Sequence, residues 1–182
     1  MAQSQRRWYA LHVKSRSEKL VAAITQNKGF EEFLPLCKVR RRWSDRVQTV
    51  ELPLFPGYLF CRIGAESRLP ILTIPGVLGF AGIGRTPLPI EDREIAAIQT
   101  AVASGLVSEP WPFINSGEVV RLEAGPLVGL EGIYLTSRKQ HRIVVSVALL
   151  QRSIAIEIDR DWVMPVRSAS FQPAFQLTAA AR

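Results

Sequence analysis

In the last third of the chain, apolar residues recur at every second position. The alternation runs through four segments: Val120 and Leu122, Ile133 and Leu135, Ile143 to Val147, and Ile154 to Ile158. A period of two is typical of strands that bury one face, because successive side chains point to opposite sides. The segments lie about ten residues apart with turns between them, and Val163 begins a fifth. This spacing predicts a small β-barrel of short strands.

The chain before residue 106 combines strand and helix patterns. Trp8 to Val13 is a run of aromatic and branched residues that predicts a first strand. A helix follows, with a capping box, one apolar face and a glycine stop: Ser15 with Glu18, then Leu20, Val21 and Ile24, then Gly29. Residues 32–39 and 48–54 are extended again. The stretch from Lys38 to Arg46 between them is too charged to be buried, so we expect the tip of a long hairpin.

A turn and a second helix complete this part of the chain. Pro56 and Gly57 predict a turn before a strand over 58–63, and residues 67–72 and 77–81 predict a short helix and a short strand. Pro89 opens the second helix, whose apolar residues recur at helical spacing: Ile95, Ile98 and Val102, with Gly105 as the stop. Two helices with several strands predict an α+β sandwich, with the helices packed on a mostly antiparallel sheet.

Between these two patterns, residues 106–116 show no hydrophobic periodicity. Pro110, Trp111 and Pro112 are expected to make the segment stiff and extended. We therefore expect a first domain at 1–105, a linker at 106–116 and a second domain at 117–167. The tail at 168–182 has no pattern and is expected to be disordered.

Charge and composition limit the kinds of partner and compartment. The 182 residues carry a formal net charge of +7, which favours a polyanionic neighbour such as nucleic acid. Cys37 and Cys61 lie in apolar stretches without metal-ligand spacing and are expected to be buried and reduced. The apolar stretch at 69–84 is interrupted by prolines and glycines, so no membrane helix is expected. We expect a soluble, cytoplasmic protein.

The residues needed for catalysis are sparse. His12 and His141 are the only two histidines and fall in different predicted domains, so neither a catalytic triad nor a metal cluster has its parts. Gly82 and Gly84 lack the rest of a phosphate-binding loop. We expect no catalytic residues, no metal, no cofactor and no enzymatic activity.

The segment Gly117-Glu118-Val119-Val120-Arg121-Leu122-Glu123-Ala124-Gly125-Pro126-Leu127-Val128-Gly129-Leu130-Glu131-Gly132 resembles the KOW motif. Gly125 and Pro126 provide a tight turn after the first barrel strand, and Gly129 and Gly132 permit close backbone approach. The first domain resembles the N-terminal (NGN) domain of the NusG family through ordered landmarks: Trp8-Tyr9, Phe55-Pro56-Gly57-Tyr58, Pro75-Gly76-Val77-Leu78-Gly79-Phe80 and Pro89-Ile90. The resemblance implies an NGN-type α/β sandwich followed by a small SH3-like KOW β-barrel.

The resemblance also implies a function. NGN domains bind the clamp of the largest RNA polymerase subunits through an apolar patch and suppress pausing, whereas KOW domains recruit Rho or a small-subunit ribosomal protein. The residues of this chain that match the patch are Trp8, Phe55, Pro56, Tyr58, Val77 and Phe80. Without the resemblance, Trp8, Phe55 and Tyr58 are more simply core aromatics, whereas Val77 and Phe80 fit the patch and the core about equally. We expect a monomer that binds polymerase and no membrane.

The basic residues near the hairpin have two interpretations. They are Arg16, Lys19, Lys38, Arg40, Arg41, Arg42 and Arg46, with Trp43 among them. The simpler interpretation is a solvated hairpin tip. The functional one is contact with nucleic-acid phosphates in the elongation complex, with Trp43 stacking on a base.

Residues 146–157 resemble specialised NusG paralogues, antiterminators of particular long operons, more than the general factor. We therefore favour a specialised paralogue, for which Rho binding is in doubt. KOW domains also occur in ribosomal proteins, so a ribosome-associated protein that binds structured RNA is the alternative. A KOW domain that refolds to mask the NGN patch is a third possibility, against which the β-branched alternation at 143–158 argues.

Overall fold

The computed structural model describes residues 5–43, 46–114, 117–137 and 140–165 of the chain. Within these ranges the fold is α+β, as predicted. The strands are β1 (Arg7–Val13), β2 (Glu31–Phe33), β3 (Leu36–Arg42), β4 (Val47–Pro53), β5 (Tyr58–Ile63), β6 (Val77–Phe80), β7 (Gly82–Ile83), β8 (Thr86–Pro87), β9 (Ser108–Pro112), β10 (Val119–Leu122), β11 (Glu131–Ser137), β12 (Gln140–Val147), β13 (Arg152–Ile158) and β14 (Val163–Pro165). The α-helices are α1 (Glu18–Asn27), α2 (Arg68–Leu72) and α3 (Asp92–Ala103). The prediction for the tail at 168–182 lies outside the described residues.

The N-terminal unit, from β1 to α3, is a sandwich of helices on both faces of one sheet. The strand order is β2-β5-β1-β6, and β5 and β6 both run antiparallel to the central β1. Neighbouring residues of β1 face opposite sides, so Ala10 packs with Phe60 and with Ile98 of α3. Leu11 packs on the other face, with Val21 of α1. The chain therefore has an apolar residue at nearly every position of β1, as a strand covered on both faces requires.

Two details of α1 differ from the prediction. Ser17 rather than Ser15 precedes the first turn, and no side chain caps it. The carboxylate expected to cap the helix, Glu18, is buried and binds a loop instead. The buried face consists of Glu18, Val21, Ala22 and Thr25, whereas Leu20 is exposed. The prediction of a capping box was wrong because the backbone amide of Gly57, on a distant loop, binds the Glu18 carboxylate instead.

The basic hairpin was predicted correctly. Strands β3 and β4 pair along their whole length, from Leu36 opposite Pro53 to Arg42 opposite Val47. They form a two-stranded sheet separate from the main one. The amide of Trp43 donates a hydrogen bond of 2.8 Å to the carbonyl of Arg46 and closes the tip. The hairpin therefore extends from the sandwich as an arm.

The C-terminal unit, from β9 to β14, is a six-stranded antiparallel sheet with the order β14-β10-β11-β12-β13-β9. Its five strands beyond residue 117 are those that the alternation predicts. Ile143 and Ile156 face the main core. On the other side of the sheet, three residues align across β11, β12 and β13 and are almost completely buried. We call Ile133, Val144 and Ala155 the outer row.

The segment expected to be a linker contributes a strand to this sheet. Ser108 pairs with Ile156 and Pro112 pairs with Arg152, so β9 covers the edge of β13. The segment is extended, as its prolines predict, but it is not a free connection. Prolines are tolerated in this position because β9 is itself an edge strand.

The loop of the KOW-like motif follows β10. Gly125 has a φ of +77°, and a Cβ there would lie 2.6 Å from the ring of Trp162. A Cβ on Gly132 would lie 2.6 Å from the carbonyl oxygen of Val144. Gly129 has φ +84° with open space around it, and Pro126 is exposed. Glycine is therefore required at Gly125 and Gly129 for a positive φ, and at Gly125 and Gly132 because a side chain would clash with its neighbours.

Cys37 and Cys61 are buried and unbridged, as expected. Burial raises the pKa of the Cys61 thiol to about 12. In the part of the chain that the structure describes, no helix has the length and apolarity needed to cross a membrane.

Candidate functional site

The turn between β4 and β5 is fixed by hydrogen bonds to two other elements. The Tyr58 amide donates to the carbonyl of Phe55 at 3.0 Å, and the Val13 amide donates to the carbonyl of Gly57 at 2.9 Å. The Gly57 amide donates to Oε1 of Glu18 at 2.9 Å. Gly57 has a φ of +83°, a conformation that disfavours other residues. The turn is therefore held by contacts with β1 and α1 as well as by its own sequence.

Three of the predicted patch residues, Phe55, Pro56 and Tyr58, lie in this turn, whereas Trp8 lies further along β1, opposite Arg62. Trp8 and Phe55 are buried, at 5% and 1% exposure, and Phe55 packs edge-to-face on Phe60 with the ring centroids 5.5 Å apart. Tyr58 is half-buried and stacks on His12, with centroids 5.4 Å apart. Pro56 is exposed. Trp8, Phe55 and Tyr58 belong to the apolar cluster on the face of the sheet that α3 covers.

Val77 and Phe80 do not join them. Both are half-buried and pack on the opposite face of the sheet, where Phe80 meets Tyr9 edge-to-face at a centroid distance of 5.9 Å. The predicted patch is thus divided: Trp8, Phe55 and Tyr58 pack on one face of the sheet, and Val77 and Phe80 pack on the other. The sequence pattern missed this division because Pro56-Gly57 and Pro75-Gly76 are similar turns that do not show which face the neighbouring residues cover.

The C-terminal unit packs beside the Phe55–Tyr58 turn. The guanidinium of Arg152 lies 5.7 Å from the centroid of the Tyr58 ring. On α3, Oε1 of Glu94 accepts a hydrogen bond of 3.2 Å from the Ala148 amide. The carbonyl of Val107 accepts one of 3.0 Å from the Glu157 amide. Buried residues of both units form one continuous apolar cluster.

This interface is incompletely packed. A cavity of about 300 Å³ lies between α3 and the C-terminal sheet, and its lining includes Ala97, Phe113, Val145 and Glu94. Burial raises the pKa of the Glu94 carboxyl above its ordinary value of 4.5, although the hydrogen bond from Ala148 opposes the shift. This cleft is partly open to solvent, so the two units are not in close contact along this part of the interface.

The predicted basic residues form two connected groups. Arg16 is exposed in the turn before α1, with φ +67°, and Lys19 on α1 lies 3.5 Å from Glu51 on β4. Lys38 lies opposite Glu51 in the hairpin. Lys19 and Lys38 therefore both neighbour Glu51, which joins the start of α1 to the base of the arm.

The remaining basic residues lie further along the arm: Arg40, Arg41, Arg42 and Arg46. All four are exposed. Trp43, at the tip, is 55% exposed. Among the described residues, no carboxylate lies within 4.0 Å of these four guanidinium groups. The arm thus presents cationic groups and a large aromatic ring to solvent.

Three residues of this region were not predicted as site residues from the sequence. Glu18 was assigned to a cap, and neither Glu94 nor Arg152 was given a role in binding. The sequence held one local signal for these roles: Glu18 falls on the same helical face as Val21, Ala22 and Thr25, the face that α1 buries. Across the described ranges, no cluster of histidine, cysteine, aspartate and glutamate could hold a metal ion.

Comparison with known proteins agrees with this fold. The family model of "Transcription termination factor nusG" matches residues 6–99. The transcription termination/antitermination protein NusG of Helicobacter pylori strain J99 is 26% identical over 166 residues, covering 83% of this chain and 93% of that protein. The protein of the same name from Thermus thermophilus is 26% identical over 173 residues, covering 84% and 94%.

A solved structure of Thermotoga maritima NusG, determined to describe domain interaction in that protein, has a similar fold. The TM-score is 0.55 and the identity 20%, covering 89% of this chain and 98% of that one. The family model spans more than half of the chain and includes the whole turn at Phe55–Tyr58. This protein is therefore a member of the NusG family.

Proposed function

We propose that this transcription termination/antitermination factor acts by binding RNA polymerase through its N-terminal unit. The observation that carries the proposal is the hydrogen-bonded turn at Phe55–Tyr58, which offers Pro56 and Tyr58 at the edge of an apolar cluster. Aromatic side chains held rigidly at a surface are typical of binding sites. NusG-family proteins are non-enzymatic, so binding alone must produce the effect.

The effect on transcription follows from differential binding. A protein that bridges the polymerase clamp and the opposite jaw binds the closed elongating state more tightly than an open, paused state. The equilibrium between the states shifts by the ratio of the two affinities. Suppressed pausing therefore requires no chemical step by this chain.

The packing of the C-terminal unit bears on access to this surface. Arg152 covers Tyr58, so polymerase binding at the turn requires this contact to open. The polar contacts between the units are individually weak: a cation–π contact contributes about 0.5–2 kcal/mol and a hydrogen bond about 0.5–1.5 kcal/mol. The apolar cluster that both units share is therefore the main contact that their separation must break. We propose that the two units separate when polymerase binds, which also frees the C-terminal unit for its partner.

The basic arm gives the N-terminal unit a second contact. We propose that Arg40, Arg41, Arg42 and Arg46 bind phosphates of nucleic acid in the elongation complex and that Trp43 stacks on an unpaired base. Guanidinium groups on an arm without described carboxylate partners support this assignment. Stacking on an exposed aromatic ring is the usual way in which proteins bind single strands.

We propose that the C-terminal unit recruits a transcription or translation component, Rho or a small-subunit ribosomal protein. The resemblance of residues 146–157 to specialised paralogues favours an operon-specific antiterminator over a general factor. The test is transcription in vitro on two templates, one with and one without an operon leader element. Equal readthrough on both would contradict specialisation.

A test of polymerase binding also distinguishes the proposed function from the alternative, a ribosome-associated protein that binds structured RNA. Purified protein is incubated with core polymerase or with naked ribosomal RNA, and each complex is resolved by gel filtration. The proposal predicts co-elution with polymerase. A complex with ribosomal RNA and none with polymerase would support a ribosome-associated protein instead.

A further inference from the structure

Residues 108–114 lie along the outside of the C-terminal sheet, and we call them the strap. The first five residues pair with the edge of β13 as strand β9. Beyond the strand, the carbonyl of Ile114 accepts a hydrogen bond of 3.1 Å from the hydroxyl of Ser146 on β12. The Ser146 hydroxyl also lies 2.7 Å from that of Ser153 on β13. The strap therefore follows the sheet across two strands rather than connecting the units through solvent.

The strap covers an apolar surface that faces away from the main core. Trp111 and Ile114 of the strap pack against the outer row, whose members are at most 5% exposed. The outer row forms a cluster separate from the rest of the apolar interior. The C-terminal sheet thus has a second apolar face, and this face is buried by a segment from outside the five-stranded pattern.

Arg142 on β12 contacts two strap side chains at once. Its Nη1 lies 2.7 Å from Oε1 of Glu109, and its guanidinium lies 4.9 Å from the centroid of the Trp111 ring. Glu109 and Trp111 are two residues apart, so an extended backbone places both on the side of the sheet that carries Arg142. Glu157 holds the other nitrogen of Arg142, Nη2, at 3.7 Å. The Arg142 side chain is only 17% exposed. One largely buried cation therefore recognises a carboxylate and an aromatic ring at fixed spacing.

The strap lies at the free edge of the sheet. The Glu157 amide donates to the carbonyl of Val107, so the hydrogen-bonded pairs with β13 fall at Glu109 and Trp111. Pro110 and Pro112 stand between these pairs, where an amide would point away from β13, so their missing amide hydrogens cost no bond to that strand. Glu109, Pro110 and Pro112 are also exposed. A segment anchored by alternate side chains at a sheet edge has the form of a peptide ligand bound by β-augmentation.

We propose that the groove formed by Arg142 and the outer row is a docking site for an extended segment of a partner protein. The partner segment carries a carboxylate two residues before an aromatic side chain, and the strap occupies the site in its absence. Charge complementarity with Arg142 and the spacing of Glu109 and Trp111 define this chemistry. The inference concerns the C-terminal unit and does not depend on polymerase binding.

Because the strap competes for the groove, it lowers the affinity of the C-terminal unit for a partner peptide. A ligand joined to its site by a short tether has an effective concentration of about a millimolar. The strap therefore lowers the apparent affinity for a free peptide of the same sequence by the fraction of time that the groove is empty. Weakening the strap exposes the groove and should reveal the binding.

The test uses the full chain and a synthetic peptide, Ser-Glu-Pro-Trp-Pro-Phe-Ile, which has the sequence of residues 108–114. The receptor carries Glu109→Ala and Trp111→Ala, and its folding is checked by circular dichroism. We expect saturable binding by calorimetry, more than about tenfold tighter than to the wild type. Adding Arg142→Met to the receptor should abolish it.

A scrambled peptide, Ser-Trp-Pro-Glu-Pro-Phe-Ile, is the matched control because its composition is identical. Equal binding of the two peptides, or binding that survives Arg142→Met, would overturn the proposal. So would a folded receptor that binds neither peptide. If the receptor does not fold, amide exchange in the wild type decides: the Trp111 amide should exchange faster than that of Met164 on β14, the other edge strand of the same sheet. Equal rates would mean that the strap is a permanent strand.

Discussion

Replacing Glu18 with alanine should loosen the Phe55–Tyr58 turn while leaving the apolar core around it intact. Glu18 is 5% exposed, and its Oε1 accepts a hydrogen bond of 2.9 Å from the Gly57 amide. Hydrogen bonds to charged groups contribute about 1.5–3 kcal/mol, and the variant leaves the amide without this acceptor. We therefore expect the free energy of unfolding of the N-terminal unit to fall by about 2 kcal/mol.

Urea denaturation followed by circular dichroism measures this change. Glu18→Gln keeps an oxygen acceptor and should lose less than Glu18→Ala. Glu51→Ala is the matched control, since it removes an exposed carboxylate that pairs with Lys19 at 3.5 Å. Exposed pairs of this kind contribute about 0–1 kcal/mol. Equal destabilisation by Glu18→Ala and Glu51→Ala would refute the assigned role of Glu18.

Three further predictions concern other parts of the molecule. Gly125→Ala should lower the free energy of unfolding by more than about 1 kcal/mol, because φ is +77° and the new Cβ would meet Trp162; an unchanged melting temperature would contradict this. The contact between the units should weaken as the pH rises through the pKa of Glu94, which burial raises above 4.5, because the docked state binds the proton more tightly. Energy transfer between dyes on the two units measures this, and Glu94→Gln should remove the dependence on pH. Trp43→Ala should weaken binding to single-stranded DNA by about 5- to 100-fold, whereas Leu20→Ala, which also removes an exposed apolar side chain, should have no effect.

Local patterns in the sequence predicted most strands and helices of this fold. The alternation from Val120 to Ile158 depends only on which face of a strand is buried, so it identified the C-terminal strands correctly. The basic hairpin could also be predicted from the sequence, because a dense run of charged residues indicates an exposed tip. Gly29 and Gly105 marked helix ends through their positive φ.

The sequence predictions failed at places where segments distant in the chain contact each other. Glu18 is buried because Gly57, on another element, needs an acceptor, and no helical pattern contains that information. Residues 106–116 lack periodicity, but a strand can form wherever an edge such as β13 offers partners. The contact between Arg152 and Tyr58 depends on the packing of two units. Such contacts require tertiary structure, which propensity does not encode.

The measurement that tests the central claim is the affinity of the full-length protein for core RNA polymerase, compared between wild type and Tyr58→Ala. Tyr58 is preferable to Phe55 because Phe55 is 1% exposed, and its truncation would cost about 3–5 kcal/mol of stability. Leu20→Ala is the control at an exposed apolar residue outside the predicted patch. We predict that Tyr58→Ala weakens binding by at least about tenfold while Leu20→Ala binds as the wild type does. Undiminished binding by folded Tyr58→Ala, or no binding by the wild type, would contradict a polymerase-binding surface at this turn.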